Sequence, residues 1–464
     1  MTKRTKRTNH ENLRRRTSGG HRVGVGVATL LAACAVHPHT AWALQPVEVF
    51  LDHARTWSPQ NRGAHATTAQ RDAEVEISTG RLLPAFTATG TYTRNQYEVD
   101  TGSLLGSGGS SLMVGGQTIQ IQIPNTVIQP QNQVDATLVL SVPIINVSSW
   151  DRREAAKATL EGAQADEADA SQTVQKNVLR GYYSLLGEEA VVLSATKNLE
   201  IARDNVQRAR DRKEGGTGSE LDVQRAIADQ AKAEQSLIGA QLNVTNRRRD
   251  LFSLTGLNAE PASLFPEDDL HDEAALSQWM GQTNDLPSVR SAVANTASTN
   301  DSARAIKSLV LPTISGTAEE KFTNATAFIG GHNAVYLLQL TAQWQLDTTI
   351  FAEYRAQNAA VAAAHAHEDQ VRQNAEDAVF KDWQEIRSEI EAARSARAQV
   401  TATKLAAQLA EERYENGVAT QLDVLQAQQD AFAADVARIQ ADANLAYARL
   451  ALRLDSGKLV RKTR

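Results

Sequence analysis

Residues 213 to 226 read K-E-G-G-T-G-S-E-L-D-V-Q-R-A, and residues 414 to 427, 201 positions later, read Y-E-N-G-V-A-T-Q-L-D-V-L-Q-A. Six of the fourteen positions coincide: Glu214/Glu415, Gly216/Gly417, Leu221/Leu422, Asp222/Asp423, Val223/Val424 and Ala226/Ala427. Each copy closes one long Ala-rich helical stretch with a glycine turn and opens another behind Ser219 or Thr420, so two equivalent halves are expected.

The 201-residue shift extends outward from the turn. Trp150 falls on Phe351, Leu199 on Val400, Leu251 on Leu452 and Gly256 on Gly457. Further upstream the shift becomes 228, where Pro59 meets Pro287 and Leu83-Pro84 meets Leu311-Pro312. The difference of 27 residues places an insertion in the first half, between about Arg94 and Gln133. Its many glycines and serines are loop composition. The first repeat then covers 44–257 and the second 258–457.

Stretches with a period of two flank the insertion. Phe86, Ala88, Gly90 and Tyr92 alternate with threonines, and Val134, Ala136, Leu138 and Leu140 alternate with Asp135, Thr137, Val139 and Ser141. The second half repeats this with Tyr336, Leu338, Leu340, Ala342, Trp344 and Leu346 against Gln339, Thr341, Gln343 and Gln345. Strands are expected at about 82–95, 133–145, 309–322 and 334–346. An apolar face with aromatics eight residues apart, backed by uncharged polar residues, suits a lipid-facing strand with a wet lumen. A sandwich strand with one solvated face reads the same way. Helices are expected at about 149–213, 219–256, 348–414 and 420–454. The longest would reach ~100 Å, and their narrow apolar stripes suit side-by-side packing of many helices in a wall. Four strands cannot close a barrel, so copies must associate: two would give a filled barrel, three an open one.

The turn at Tyr414 to Ala427, its weaker copy and the duplicated Leu-Pro strand openings resemble the TolC-like outer membrane efflux protein family, over about residues 44 to 457. The resemblance implies a mainly α chain with a membrane β-barrel portion: a homotrimer with a 12-stranded β-barrel continued by a periplasmic α-helical barrel. Shorter pieces such as Leu44–Ala54 and Leu270–Thr283 would pack in a band around the helices. It implies an exit duct for small molecules or proteins, working with a periplasmic adaptor and an inner membrane transporter, in drug efflux or type I secretion. The tip turns (Gly216, Ser219, Leu221, Gly417, Thr420, Leu422) would form the periplasmic entrance and dock the adaptor. Asp423 matches a carboxylate of a constricting ring, Asp222 an aspartate of a lock between hairpins, and Tyr414 its tyrosine partner. Ala419 departs from the family where a basic lock residue is expected, and Gln426 where a second acidic ring can sit. Tyr92, Tyr336 and Trp344 would mark the membrane interface.

Local chemistry offers plainer roles beside these. Both aspartates lie three residues after a Ser or Thr, the capping-box position; Tyr414 can be a packed aromatic at a helix end, and the glycines are explained by the turn.

The N-terminus carries eight basic residues and one acidic in its first 22, followed by an apolar run from Val23 to Val36. That is a secretory signal, too short to span a bilayer. Two cleavage sites are available: after Ala43, giving a signal peptide of 1–43, or before Cys34 in Leu31-Ala32-Ala33-Cys34, which would put a lipid on Cys34. The polar spacer from His37 to Ala43 favours the first. Cleavage there leaves 40 basic against 53 acidic side chains, a net charge of −13, which argues against nucleic acid. It also leaves no thiol, because Cys34 is the only cysteine, so stability must come from packing and association. Residues 458–464 form a basic tail. His365 and His367 are two apart on a helix, unlike metal ligands at i and i+4. Nothing pairs a nucleophile with a base, so neither an enzyme nor a cofactor is expected. A periplasmic coiled-coil scaffold is the rival to a channel.

Overall fold

The computed structural model describes residues 45–102, 110–121, 126–261, 267–281, 283–326 and 331–458. The signal segment, Cys34 and nearly all of the basic tail lie outside them. Two helices, α1 (Val47–Trp57) and α2 (Pro59–Gly80), lead into β1 (Ala85–Arg94). Within the insertion, β2 (Val99–Asp100) pairs with β5 (Val127–Gln129), and β3 (Ser110–Val114) pairs with β4 (Gln117–Ile121). The chain continues through β6 (Asn132–Ile145), α3 (Val147–Glu214) and α4 (Glu220–Thr255). The second half follows as α5 (Leu276–Met280), α6 (Pro287–Lys307), β7 (Thr313–Thr323), β8 (Ala334–Gln343), α7 (Thr348–Glu415) and α8 (Gln421–Asp455).

The insertion is more ordered than its loop composition suggested. Gly115 and Gly116 have φ of 61° and 81°, the pair of positive values that a two-residue type I′ hairpin turn requires. The strand read from 309 opens at Thr313, because Ser308–Val310 closes α6 as a 3-10 turn and Pro312 has no N–H to give a ladder.

Strands β1, β6, β7 and β8 form one antiparallel sheet in that order. Cross-strand neighbours share a face, so the register sorts the side chains. One face carries Phe86, Tyr92, Leu138, Leu140, Phe322, Tyr336, Leu338 and Leu340. The other carries Thr87, Thr89, Thr137, Ser141, Thr317, Glu319, Lys321, Gln339 and Thr341. Nothing among the described residues covers the apolar face: Tyr336, Leu338 and Leu340 are 73%, 72% and 71% exposed. Both edge strands, β1 and β8, lack an outer partner among the described residues.

Below the sheet the long helices lie side by side, α4 against α3, α3 against α8 and α8 against α7. Two girdle points clamp them midway. At the first, α1 puts Phe50 and Ala54 onto Val178, Tyr182 and Leu185 of α3 and Leu251 of α4. Burial pushes the Tyr182 hydroxyl up to about 12, and it donates to the Gln45 carbonyl at 3.2 Å. At the second, Trp279 of α5 packs on Val379, Ile386 and Ile390 of α7 and Leu445 and Leu452 of α8. Each large side chain buried here contributes about 1.5–3 kcal/mol. Nearer the tips the buried apolar side chains are smaller, with Val206, Ala209, Val223 and Ala226 in one cluster and Val424 and Leu425 on α8. The tips are therefore the soft end of the rods.

Gly256 and Gly457, aligned by the repeat, end α4 and follow α8 with φ of 71° and 72°. A side chain in that region costs about 1–2 kcal/mol. They differ in their surroundings: a Cβ on Gly256 would stand 2.6 Å from the Trp57 ring, whereas one on Gly457 meets only Leu286 at 3.6 Å. Gly256→Ala is accordingly expected to lower the denaturation midpoint more than Gly457→Ala, by a further ~1 kcal/mol for displacing Trp57. Equal losses would show that Trp57 yields freely.

Candidate functional site at the helical tips

The two turns have nearly the same geometry. In the first, Gly216 takes φ 76° and the N–H groups of Thr217 and Gly218 donate to the Arg212 carbonyl, both at 2.9 Å. In the second, Gly417 takes φ 75° and Val418 and Ala419 donate to the Arg413 carbonyl at 2.8 and 3.2 Å. Glycine is needed at both because the chain must turn left-handed to satisfy the carbonyls of the ending helix.

Each following helix opens with a complete capping box. The Ser219 hydroxyl accepts from the Asp222 N–H at 3.2 Å, and the Asp222 carboxylate accepts from the Ser219 N–H at 3.3 Å. Asp423 N–H donates to Thr420 Oγ1 at 3.3 Å, and the Asp423 carboxylate accepts from both the Thr420 N–H and hydroxyl at 2.8 Å. These bonds, the backbone one foremost, hold the Asp423 carboxyl below the usual aspartate range. Its capping contribution is therefore present at neutral pH and lost only in acid. Asp222 is turned into its own cap, and the structure does not bring it to Tyr414.

Tyr414 instead meets a residue that the sequence did not single out. The Arg212 guanidinium carbon sits 4.2 Å from the centre of the Tyr414 ring, and its Nη1 donates to the Tyr414 carbonyl at 3.1 Å. A cation missing at position 419 of one half is thus supplied by the other half. Beneath this contact lies a cavity of about 300 Å³ lined by Asn205, Arg208 and Glu411 among others, and further links join the hairpins. Arg208 pairs with Glu411 at 2.6 Å, Asn205 donates to Gln428 at 2.6 Å, and Ser194 donates to Asp435 at 2.6 Å. A cation placed at the last turn of α3 is the only local cue to Arg212. The turns also present Leu221, Val418 and Leu422 to solvent.

Away from the tips, Asp268, Asp269 and His271 bring ligand-type atoms within 4.8 Å of one another, but Arg449 already occupies Asp268 at 2.8 Å. Three consecutive arginines stand at 247–249 in α4: Arg248 pairs with Glu189 at 2.7 Å and Arg247 lies 3.6 Å from Asp250. Both are ordinary helix-face contacts.

A sequence profile of the outer membrane efflux proteins matches residues 51–257 and 284–458. The chain belongs to the outer membrane efflux protein family. Membership places it in the outer membrane of a Gram-negative bacterium, extending into the periplasm, among channels of the TolC type. One relative, the cobalt-zinc-cadmium resistance protein CzcC of Cupriavidus metallidurans, is 32% identical over 127 residues. That match spans only 27% of this chain and 30% of the relative. Solved structures share the fold over most of its length. The CmeC outer membrane channel of Campylobacter jejuni has a TM-score of 0.73 at 17% identity, covering 89% of this chain and 86% of its own. The outer membrane channel OprN scores 0.71 at 20% identity, covering 89% and 90%, and CusC scores 0.74 at 14%, covering 90% and 93%.

Proposed function

We propose that three copies of this chain close a 12-stranded barrel in the outer membrane and continue it as a helical duct through the periplasm. The observation that carries this is the four-stranded sheet, with a bare apolar face, a polar opposite face and two open edges. Three such sheets joined edge to edge leave no free strand and enclose a mainly polar lumen, lined by threonine, glutamine and a few charges together with Val139, Val335 and Leu337. Tyr336 in β8 and Trp344 just past its end are eight residues apart, about 26 Å along the chain direction; at a barrel-strand tilt of about 40° that spans roughly 20 Å of the membrane normal, of the order of the ~25 Å band that aromatic girdles bound. The helices follow the same logic: α4 leaves Ile238 and Leu242 exposed and α7 leaves Leu405 and Leu409, complementary stripes for neighbouring copies. A periplasmic scaffold would leave the apolar sheet face in water. Native mass spectrometry in detergent and planar-bilayer recordings test the reading; a monomer without conductance would overturn it.

The duct would receive cargo from an inner membrane transporter through a periplasmic adaptor docked at Leu221, Val418 and Leu422. Its cargo would be small toxic compounds or secreted proteins, and the regional likeness to CzcC adds divalent metal ions. Sensitivity of a deletion strain to drugs or metals, against loss of a secreted protein, separates these. At the entrance, Asp423 from three copies would form a ring that attracts cations. Asp423→Asn is expected to weaken block by divalent cations about tenfold, or ~1.4 kcal/mol. Thr420→Ala removes the same cap but keeps the charge, and should leave block unchanged. If block follows the cap and not the carboxylate, Asp423 does not line the pore.

A further inference from the structure

Three helices from both halves meet at a cluster that the duct reading leaves unused. Lys176 of α3 forms an ion pair with Asp455 at the end of α8, and Gln172 of α3 donates to the Leu454 carbonyl at 2.6 Å. Asp382 of α7 lines the same cavity, about 230 Å³ in volume, with Arg180, Glu385 and Tyr447. Its Oδ2 is buried, and among the described residues no donor reaches it. An ionised Asp382 would set a second partly buried negative charge beside Asp455, with one lysine between them.

One proton resolves the conflict. As a neutral acid, Asp382 can donate its O–H to Asp455, which keeps its own charge facing Lys176. Other groups stand around the pair. From α3 these are Lys176, Arg180, which lies 4.9 Å over the Tyr447 ring, and Asp169, itself pushed up by burial and Asp166; from α7 there is Glu385; from α8 there are Asp455 and Tyr447.

We propose that Asp382 and Asp455 share one proton that clasps α7 and α8 onto α3, so that the junction between the two halves loosens when the proton leaves to solvent. Burial first and Asp455 second push Asp382 up to about 8, with Lys176 opposing. An unfolded aspartate ionises near 3.9. Between these values the folded chain holds the proton that the unfolded chain has lost, so rising pH weakens the fold across the interval, with the full loss reached above about 8.

Infrared spectra of the purified protein in detergent, stepped from about pH 5 to about pH 9, test this. A protonated-carboxyl band is expected to survive past neutrality, vanish near pH 8 and be missing from Asp382→Asn, whose thermal midpoint should no longer fall with pH. In Asp455→Asn the band should vanish at lower pH, because the repelling charge is gone, and this variant decides the matter if Asp382→Asn does not fold. A wild-type band lost below about pH 6, a band retained in Asp382→Asn, or a midpoint that falls with pH equally in both would overturn the proposal. None of these readings depends on trimer formation or conductance.

Discussion

Replacing Arg449 with methionine is expected to cost about 3–5 kcal/mol. The arginine is on α8, and its side chain and that of Glu273 are each only 7% exposed, with Asp268 at 17%. Its Nη1 donates to Glu273 at 2.6 Å and to His271 Nε2 at 3.0 Å, and its Nη2 to Asp268 at 2.9 Å and the His271 carbonyl at 2.8 Å. Nε lies 2.8 Å from the second Asp268 oxygen but is too poorly aligned to hydrogen-bond it. Methionine fills much of the same space, so the loss is electrostatic: two nearly buried carboxylates are left without their cation. The segment before α5 should detach first, because Trp279 and Trp383 both donate to the Ala274 carbonyl, at 3.3 and 3.0 Å, and cannot hold it alone. Protease cleavage within 267–281 and the denaturation midpoint report the effect. Adding Glu273→Gln should recover part of the loss by removing one orphaned charge. A loss below about 1 kcal/mol would mean that water already screens the cluster.

The Arg449 cluster also shows where sequence reading stops. The tip turns were legible because their contacts are local: Gly216 and Gly417 need a left-handed turn, and the caps join residues three apart. The strand faces were legible because period two survives in any sheet. Arg449 and Asp268 are 181 residues apart, and D-D-L-H-D-E at 268–273 has no periodicity that would aim it at a helix. Composition misled at the insertion, where Val114-Gly115-Gly116-Gln117 is a hairpin signal that the surrounding serines and glycines obscured. Alternation along β7 gives no warning of Glu320, which the register places on the apolar face opposite Leu138 and Tyr336.

Removing the Arg212 side chain should open the tips. Arg212→Ala deletes a cation–π contact, about 0.5–1 kcal/mol at an exposed site, and a hydrogen bond from a charged donor, about 1.5 kcal/mol. The loss is about 2 kcal/mol per chain, and three copies acting together would shift the balance between joined and parted tips by roughly 6 kcal/mol, about 10⁴-fold. The region packs through small and medium side chains such as Val206, Ala209, Val223 and Ala226, which leaves little else to resist. Larger single-channel conductance and easier passage of large antibiotics inward are the expected readouts. Tyr414 separates this latch from the lock implied by family resemblance. Arg212 uses the ring face and the backbone carbonyl of Tyr414, so Tyr414→Phe should leave conductance unchanged, while Tyr414→Leu should raise it toward the Arg212→Ala level. If the hydroxyl is what matters, as in a lock with Asp222, Tyr414→Phe will open the channel as fully as Tyr414→Leu does. The repeat explains why position 212 escaped notice: the 201-residue shift sets Lys213 opposite Tyr414, and Lys213 is turned to its own hairpin, paired with Glu220 at 2.5 Å. The side chain one position earlier faces the other half. The asymmetry between the two copies of the turn is thus what lets one reach across to the other.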